Sequence, residues 1–250
     1  FLVTPHGIEL SNNFAAYLNS KGEGYAAIGQ DLHDATRPVR KVYLKPSPIY
    51  LARNISQCLV QHLQLLKQNI SGIESFADSE PEALRWGEVV PLLFVPPIVR
   101  ENSKSIIWSQ PLRRHQHSKE MVPELLSIGH DIGIYLEKLK ERTLVIVSSD
   151  LAHTHSASGP YGFSNASKPF DDAIGKWITD PLLYSNSLLV TARDLESRAL
   201  SCGFTGLVML HGMLFFGNHG KKSQWSSKLL ANGHPTYYGM AVGLVENLSK

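Results

Sequence analysis

The side chains that could carry chemistry are gathered at a few points of the chain: His6 in Thr4-Pro5-His6-Gly7, Asp150, His153 and His155 in the segment Ser148 to His155, and Cys202 in Cys202-Gly203. Neutral imidazole is both a common ligand of divalent metals and the side chain that titrates nearest pH 7. Histidines sharing a rim with a carboxylate therefore suit a metal centre or general acid/base work. Two of these residues keep two readings each. Asp150 fits a turn cap as well as a chemical role. Cys202, beside an apolar segment, is either an inert buried thiol or, at a helix N-terminus that lowers its pKa, a competent ligand or nucleophile. A Ser-His-Asp hydrolase built from Ser148, Asp150 and His153 fails on arrangement, because the three are contiguous and no Gly-x-Ser-x-Gly elbow is present.

The elements that must position these residues are strand ends. Phe1-Leu2-Val3 is the apolar core of a strand that delivers Thr4-Pro5-His6-Gly7, and Thr143–Val147 is an apolar or β-branched run that delivers the Ser148–His155 tail. Such a run reads as a buried strand of a parallel sheet, and right-handed connections bring the carboxyl ends of parallel strands to one edge, where open α/β proteins keep their chemistry. A strand with no start signal before it carries the expectation that the chain begins inside the domain, with its first strand upstream.

Further short strands are expected at Val39–Leu44 and Ser105–Trp108, and two final ones near Ser227–Leu230 and Tyr238–Val245. Between Ser47 and Asn69, Ile55, Leu59, Leu63 and Leu66 recur at helical spacing, which puts Cys58 and His62 on or beside a core-facing stripe. An acidic patch (Glu74, Asp78, Glu80, Glu82) precedes a segment in which Pro91 fits the first turn of a helix. Pro111–His117 reads as loop, and Ser118 as the cap of a helix with the stripe Val122, Leu125, Ile128, Ile132, Tyr135, Leu136 and Leu139. Gly159–Gly162 reads as a turn, Lys168–Ile178 and Asp194–Leu200 as helices, and Phe204–Phe216, apolar nearly all round, as a buried helix. Strands alternating with helical patterns give a single α/β domain over residues 1–250, with a mainly parallel, mixed central sheet flanked by helices.

The composition excludes several classes. Among 250 residues, 43% are hydrophobic and 18% charged, an ordinary globular balance that argues against a disordered chain or a fibre. The net charge of +2, with one small basic cluster at Arg113-Arg114-His115 and His117, is too slight for a nucleic-acid or membrane partner. There is no apolar run of the roughly twenty residues a membrane span needs. Two cysteines cannot build a disulfide framework, so a reducing, cytoplasmic setting is expected, and the sequons at Asn54, Asn69, Asn165 and Asn247 are discarded.

Taken in order, Thr4-Pro5-His6-Gly7, Trp86-Gly87-Glu88-Val89-Val90-Pro91-Leu92, Ser148-Ser149-Asp150-Leu151-Ala152-His153, Gly159-Pro160-Tyr161-Gly162-Phe163, Cys202-Gly203 and Tyr238-Gly239-Met240-Ala241-Val242-Gly243 resemble the LigB-like superfamily of class III extradiol ring-cleavage dioxygenases and their Memo-like relatives. The resemblance implies a non-haem Fe(II) centre cleaving a catechol-type ring, with a small aromatic substrate and O2 as partners; a homo-oligomer stays open. It makes His6 a metal ligand, His153 a pocket residue with an acid/base or oxygen-binding role, and Cys202 a ligand of the kind Memo-like relatives use. Asp150, His155, Trp86 and Glu88 fall in the surrounding shell. The sequence departs from the family where a histidine, the expected base, is replaced by Trp86, which can neither ligate iron nor accept a proton. Glu88, two residues on, faces elsewhere if that segment is helical. The alternative reading is a metal-binding or scaffold protein of the Memo-like type that kept the fold and lost the reaction.

Overall fold

A computed structural model describes residues 1–28, 39–76, 80–215 and 225–248. Asp78 of the acidic patch and Phe216 at the end of the apolar helix lie outside these residues. The fold is mixed α/β with a mainly parallel central sheet, as the alternation of patterns implies. The described chain divides into two compact units: Phe1–Leu112 with Arg142–Ser148, and Arg113–Glu141 with Ser149 onward.

The first unit comprises β1 (Leu2–Thr4), β2 (Phe14–Tyr17), β3 (Lys21–Ile28), β4 (Arg40–Tyr43), β5 (Ile49–Tyr50), α1 (Arg53–Leu65), β6 (Ile70–Ile73), β7 (Glu82–Leu84), α2 (Trp86–Leu93), α3 (Pro97–Glu101), β8 (Ile107–Ser109) and β9 (Ile146–Val147). The central sheet runs β6-β2-β8-β1-β9. β1 is parallel to β8 and β9, β2 is parallel to β6, and β2 meets β8 antiparallel. A second sheet centres on β3, flanked by β4, β5 and β7. Leu2, Val3, Ile107 and Trp108 are wholly buried, which is why β1 and β8 read as unbroken apolar runs.

Several expectations need correction here. The Thr143–Val147 run is not a buried central strand: only Ile146 and Val147 pair, at the sheet's edge and half-buried, and Leu144 is exposed. β2, where no strand was expected, has all four of its residues buried. On α1 the buried face is Ser56, Leu59, Val60 and Leu63; Cys58 and Leu66 are exposed and His62 is half-buried, because the stripe lies to one side of the one the spacing picked out. Pro91 is the sixth residue of α2, not part of its first turn. A proline there cannot donate to the carbonyl of Gly87, and that carbonyl accepts the Thr4 hydroxyl instead at 2.8 Å. The lost helical bond becomes a tie between α2 and the end of β1.

The second unit comprises α4 (Arg114–His117), α5 (Val122–Glu137), α6 (Ser167–Thr179), a π-helical stretch Ser187–Ala192 running into α7 (Arg193–Ala199), α8 (Phe204–Phe215), and the antiparallel hairpin β10 (Trp225–Gly233) and β11 (Met240–Asn247). The two last strands thus form their own sheet. α5 packs along α8 at glycines: a Cβ on Gly129 would fall onto the Met209 carbonyl, and one on Gly212 onto the Leu126 carbonyl. Residues 114–117 are a helical turn rather than loop. Ser118 does not cap α5, which starts at Val122-Pro123, where a proline needs no cap for its missing N–H. The Ser118 hydroxyl donates to Glu196 at 2.6 Å.

Candidate metal centre

In the second unit the segment after Ser149 and the Cys202-Gly203 turn lie against each other. The Gly203 N–H and the Ser201 hydroxyl both donate to the Asp150 carbonyl, at 3.2 and 2.8 Å. A Cβ on Gly203 would fall on the Ser149 side chain and 2.8 Å from that carbonyl, so only glycine allows this approach. Three donor side chains meet as a result. The Cys202 thiol donates to Asp150 Oδ2 at 3.6 Å and lies 4.0 Å from His153 Nε2, and His153 Nε2 is 3.5 Å from Asp150 Oδ2. Ligands 2.0–2.3 Å from a tetrahedral ion sit about 3.3–3.8 Å from one another, so the Cys202 sulfur and the Asp150 oxygen, 3.6 Å apart, suit a borderline-soft divalent ion, while His153 Nε2, 4.0 Å from the sulfur, stands just outside that spacing.

Of the two readings of Cys202, the surroundings favour the buried thiol over the activated one. α8 begins two residues after Cys202, and the pKa is raised, not lowered: burial pushes it up to about 12, with the Asp150 carboxylate adding to the rise and Arg114 opposing it. A thiol in that position is a proton-bearing group until a cation displaces the proton. Asp150, with its carboxylate oxygen between thiol and imidazole, is placed as a ligand candidate in its own right, beyond the supporting role first given to it.

Aromatic rings close around His153. Tyr161 stacks on it at 5.5 Å, and Tyr237 and Tyr238 meet it edge-on at 6.3 and 6.5 Å. Tyr161 comes from the Gly159–Gly162 turn, and the other two from the segment before β11.

His155 is not in this group. Its Nε2 pairs with Asp171 Oδ2 at 2.7 Å with both side chains buried, and its ring stacks on His234 at 4.3 Å. The other Asp171 oxygen accepts the Ala152 N–H at 2.9 Å, while the Gly239 N–H donates to the Ala152 carbonyl and the His155 N–H to the Tyr237 carbonyl. A Cβ on Gly239 would land on the Asp171 carboxylate. His155 and Asp171 therefore brace the backbone on which Asp150 and His153 stand and the segment bearing Tyr237 and Tyr238. Burial raises the Asp171 pKa, with the Ala152 N–H and His155 pulling it back. Sequence reasoning passed over Asp171, although an acid beside Phe170 and three residues before Ile174 sits on the buried face of a helix and needs a partner.

The remaining predicted residues belong to the first unit. His6 is half-buried in the loop after β1, and the Trp86 ring lies 4.5 Å from its imidazole with Trp86 55% exposed. A Cβ on Gly87 would fall 2.6 Å from His6 Cβ, so glycine lets the first turn of α2 come under the histidine. Glu88 is 1% exposed and turned inward: Oε1 accepts the Tyr17 hydroxyl at 2.5 Å and Oε2 the Arg85 N–H at 2.9 Å. Burial raises its pKa against both bonds. Tyr17, which no motif marked, is the residue that sequence reasoning missed here.

No family model matches this chain, and no curated protein matches it. Among the described residues no helix is long and apolar enough to cross a membrane.

Proposed function

We propose that this chain is a LigB-like, non-haem Fe(II)-dependent dioxygenase acting on a small catechol-type aromatic. The observation that carries the reading is the meeting of Cys202, Asp150 and His153 under the rings of Tyr161, Tyr237 and Tyr238. Cys202 and Asp150 are the ligands this reading assigns in the second unit, and His6 is the ligand that the family resemblance supplies. A bound Fe(II) would bring Lewis acidity and open coordination positions for the diol and O2. His153, whose Nε2 sits beside Asp150, would take a hydroxyl proton from the substrate, with the Asp150 carboxylate stabilising the imidazolium. The tyrosine rings would hold a planar substrate face-on or edge-on. The two free cysteines agree with a cytoplasmic setting.

A specific observation favours a second reading, a metal-binding or scaffold protein of the Memo-like type. Where the resemblance calls for a histidine base the chain presents the exposed Trp86 ring, and the nearest carboxylate, Glu88, is committed to Tyr17 and Arg85. Anaerobic reconstitution of the full chain with Fe(II), followed by metal analysis and oxygen uptake with catechol, separates the two. Stoichiometric iron with catechol-dependent uptake supports the dioxygenase. Stoichiometric iron without uptake supports the second reading, and absence of bound iron refutes both. His153→Gln is expected to keep the metal and lose turnover; loss of metal instead would make His153 a ligand.

A further inference from the structure

We infer that Tyr17 and Glu88 are a positioning pair that fixes the loop carrying His6. The ligand role of His6 rests on the reading above, but the fixing of the loop stands on the geometry of the first unit.

Tyr17 Oη accepts the Ile8 N–H at 2.7 Å. Its own proton goes to Glu88 Oε1 at 2.5 Å, so the direction of the chain of bonds is set: backbone amide to phenol to carboxylate. Glu88 Oε2 accepts the Arg85 N–H, and the Arg85 guanidinium donates to the Gly7 carbonyl at 2.7 Å. On the other side of the loop, the Thr4 hydroxyl donates to the Gly87 carbonyl and accepts the His6 N–H at 3.2 Å. Residues 4, 7 and 8 are thus each tied to the 85–88 turn, directly or through Tyr17, and His6 is held between them. The fit is close, since a Cβ on Gly7 would fall 2.8 Å from the Tyr17 hydroxyl.

Burying a carboxylate and a phenol here is not the cheapest way to hold the core, since apolar residues of similar volume are often equal or better for stability. The polar pair supplies direction instead, an acceptor at one fixed point for the Ile8 amide, and so a fixed course for the backbone around His6. Polar groups that orient a ligand from behind typically change metal affinity by about 10- to 100-fold when removed.

The test uses the full chain with 13C-labelled histidine, and His6 is assigned by His6→Asn. The Trp86 ring beside His6 makes its imidazole proton shifts sensitive to small displacements. In Tyr17→Phe, which keeps the ring and removes the hydroxyl, the His6 signals are expected to move while those of His155 and His211 stay in place, and Co(II) affinity is expected to fall about tenfold or more. Unmoved His6 signals overturn the inference. Should Tyr17→Phe unfold the chain, Glu88→Gln, which keeps the volume, is judged by the same criterion. A wild-type chain that takes up no Co(II) removes the metal reading alone, because the His6 shifts still decide whether the pair positions the loop.

Discussion

Cys58 and Cys202 are chemically the same group in different surroundings. Cys58 is exposed on α1; Cys202 is held beside Asp150 with its pKa pushed up to about 12. Only the thiolate alkylates, and at pH 8 a thiol with that pKa is ionised in about one molecule in ten thousand. Iodoacetamide at pH 8 is therefore expected to label Cys58 in the metal-free chain and to leave Cys202 nearly untouched, as read by peptide mass spectrometry. Equal labelling would show that the thiol is not shielded as described.

At the scale of elements, two buried polar contacts join parts of the second unit. Removing one partner of a buried pair leaves the other uncompensated, at a cost of about 3–5 kcal/mol. His155→Ala strands Asp171 in this way, and thermal or denaturant unfolding is expected to show a loss of that size; a loss below about 1 kcal/mol would mean that the pair is not bearing on the fold. Between α6 and α8, the Trp177 indole N–H donates to His211 Nδ1 at 3.1 Å, and burial lowers the His211 pKa to about 4 from an ordinary 6.5. Between those values the unfolded chain takes up a proton that the folded chain does not. The contribution of neutral His211 is therefore fully present above pH 6.5 and falls as the pH drops toward 4, by up to about 3 kcal/mol. Buried carboxylates with raised pKa values, such as Glu88, Asp171 and Glu196, act with the opposite slope, so the comparison has to be made between variants. His211→Phe is expected to show a weaker fall in stability from pH 6.5 to 4.5 than the wild type, and an identical pH profile would contradict this.

The elements that were legible in the sequence are those whose burial is regular. β1 opens on a buried apolar pair, α6 shows one buried face and α8 is apolar nearly all round, so His6 and Cys202 could be placed at element ends. β2 was not legible, because Phe14-Ala15-Ala16-Tyr17 is short, half alanine and preceded by two asparagines, and its burial comes from β6 and β8 far along the chain. β9 was over-read, since an apolar run cannot say whether a second strand lies on its far side. Tyr17 with Glu88 and His155 with Asp171 escaped for a related reason. Their partners are 71 and 16 residues away, and no local pattern records such pairings.

At the scale of the whole molecule, the metal reading has a thermodynamic signature. An ion that binds only the folded state stabilises it by about 2.7 kcal/mol when free ion is a hundredfold above Kd. Because Cys202, Asp150 and His153 all belong to the second unit, added Co(II) is expected to slow amide exchange around residues 150–155 and 202–206. Unchanged exchange there at saturating Co(II) would place the ion elsewhere. The most direct test is iron stoichiometry after anaerobic reconstitution of the full chain, with Cys202→Ser and Asp150→Asn in parallel. About one iron per wild-type chain, falling at least tenfold in occupancy in both variants at equal free Fe(II), is the result expected of a Cys202–Asp150 centre. Wild-type chains without iron, or variants that hold as much iron as the wild type, would contradict it.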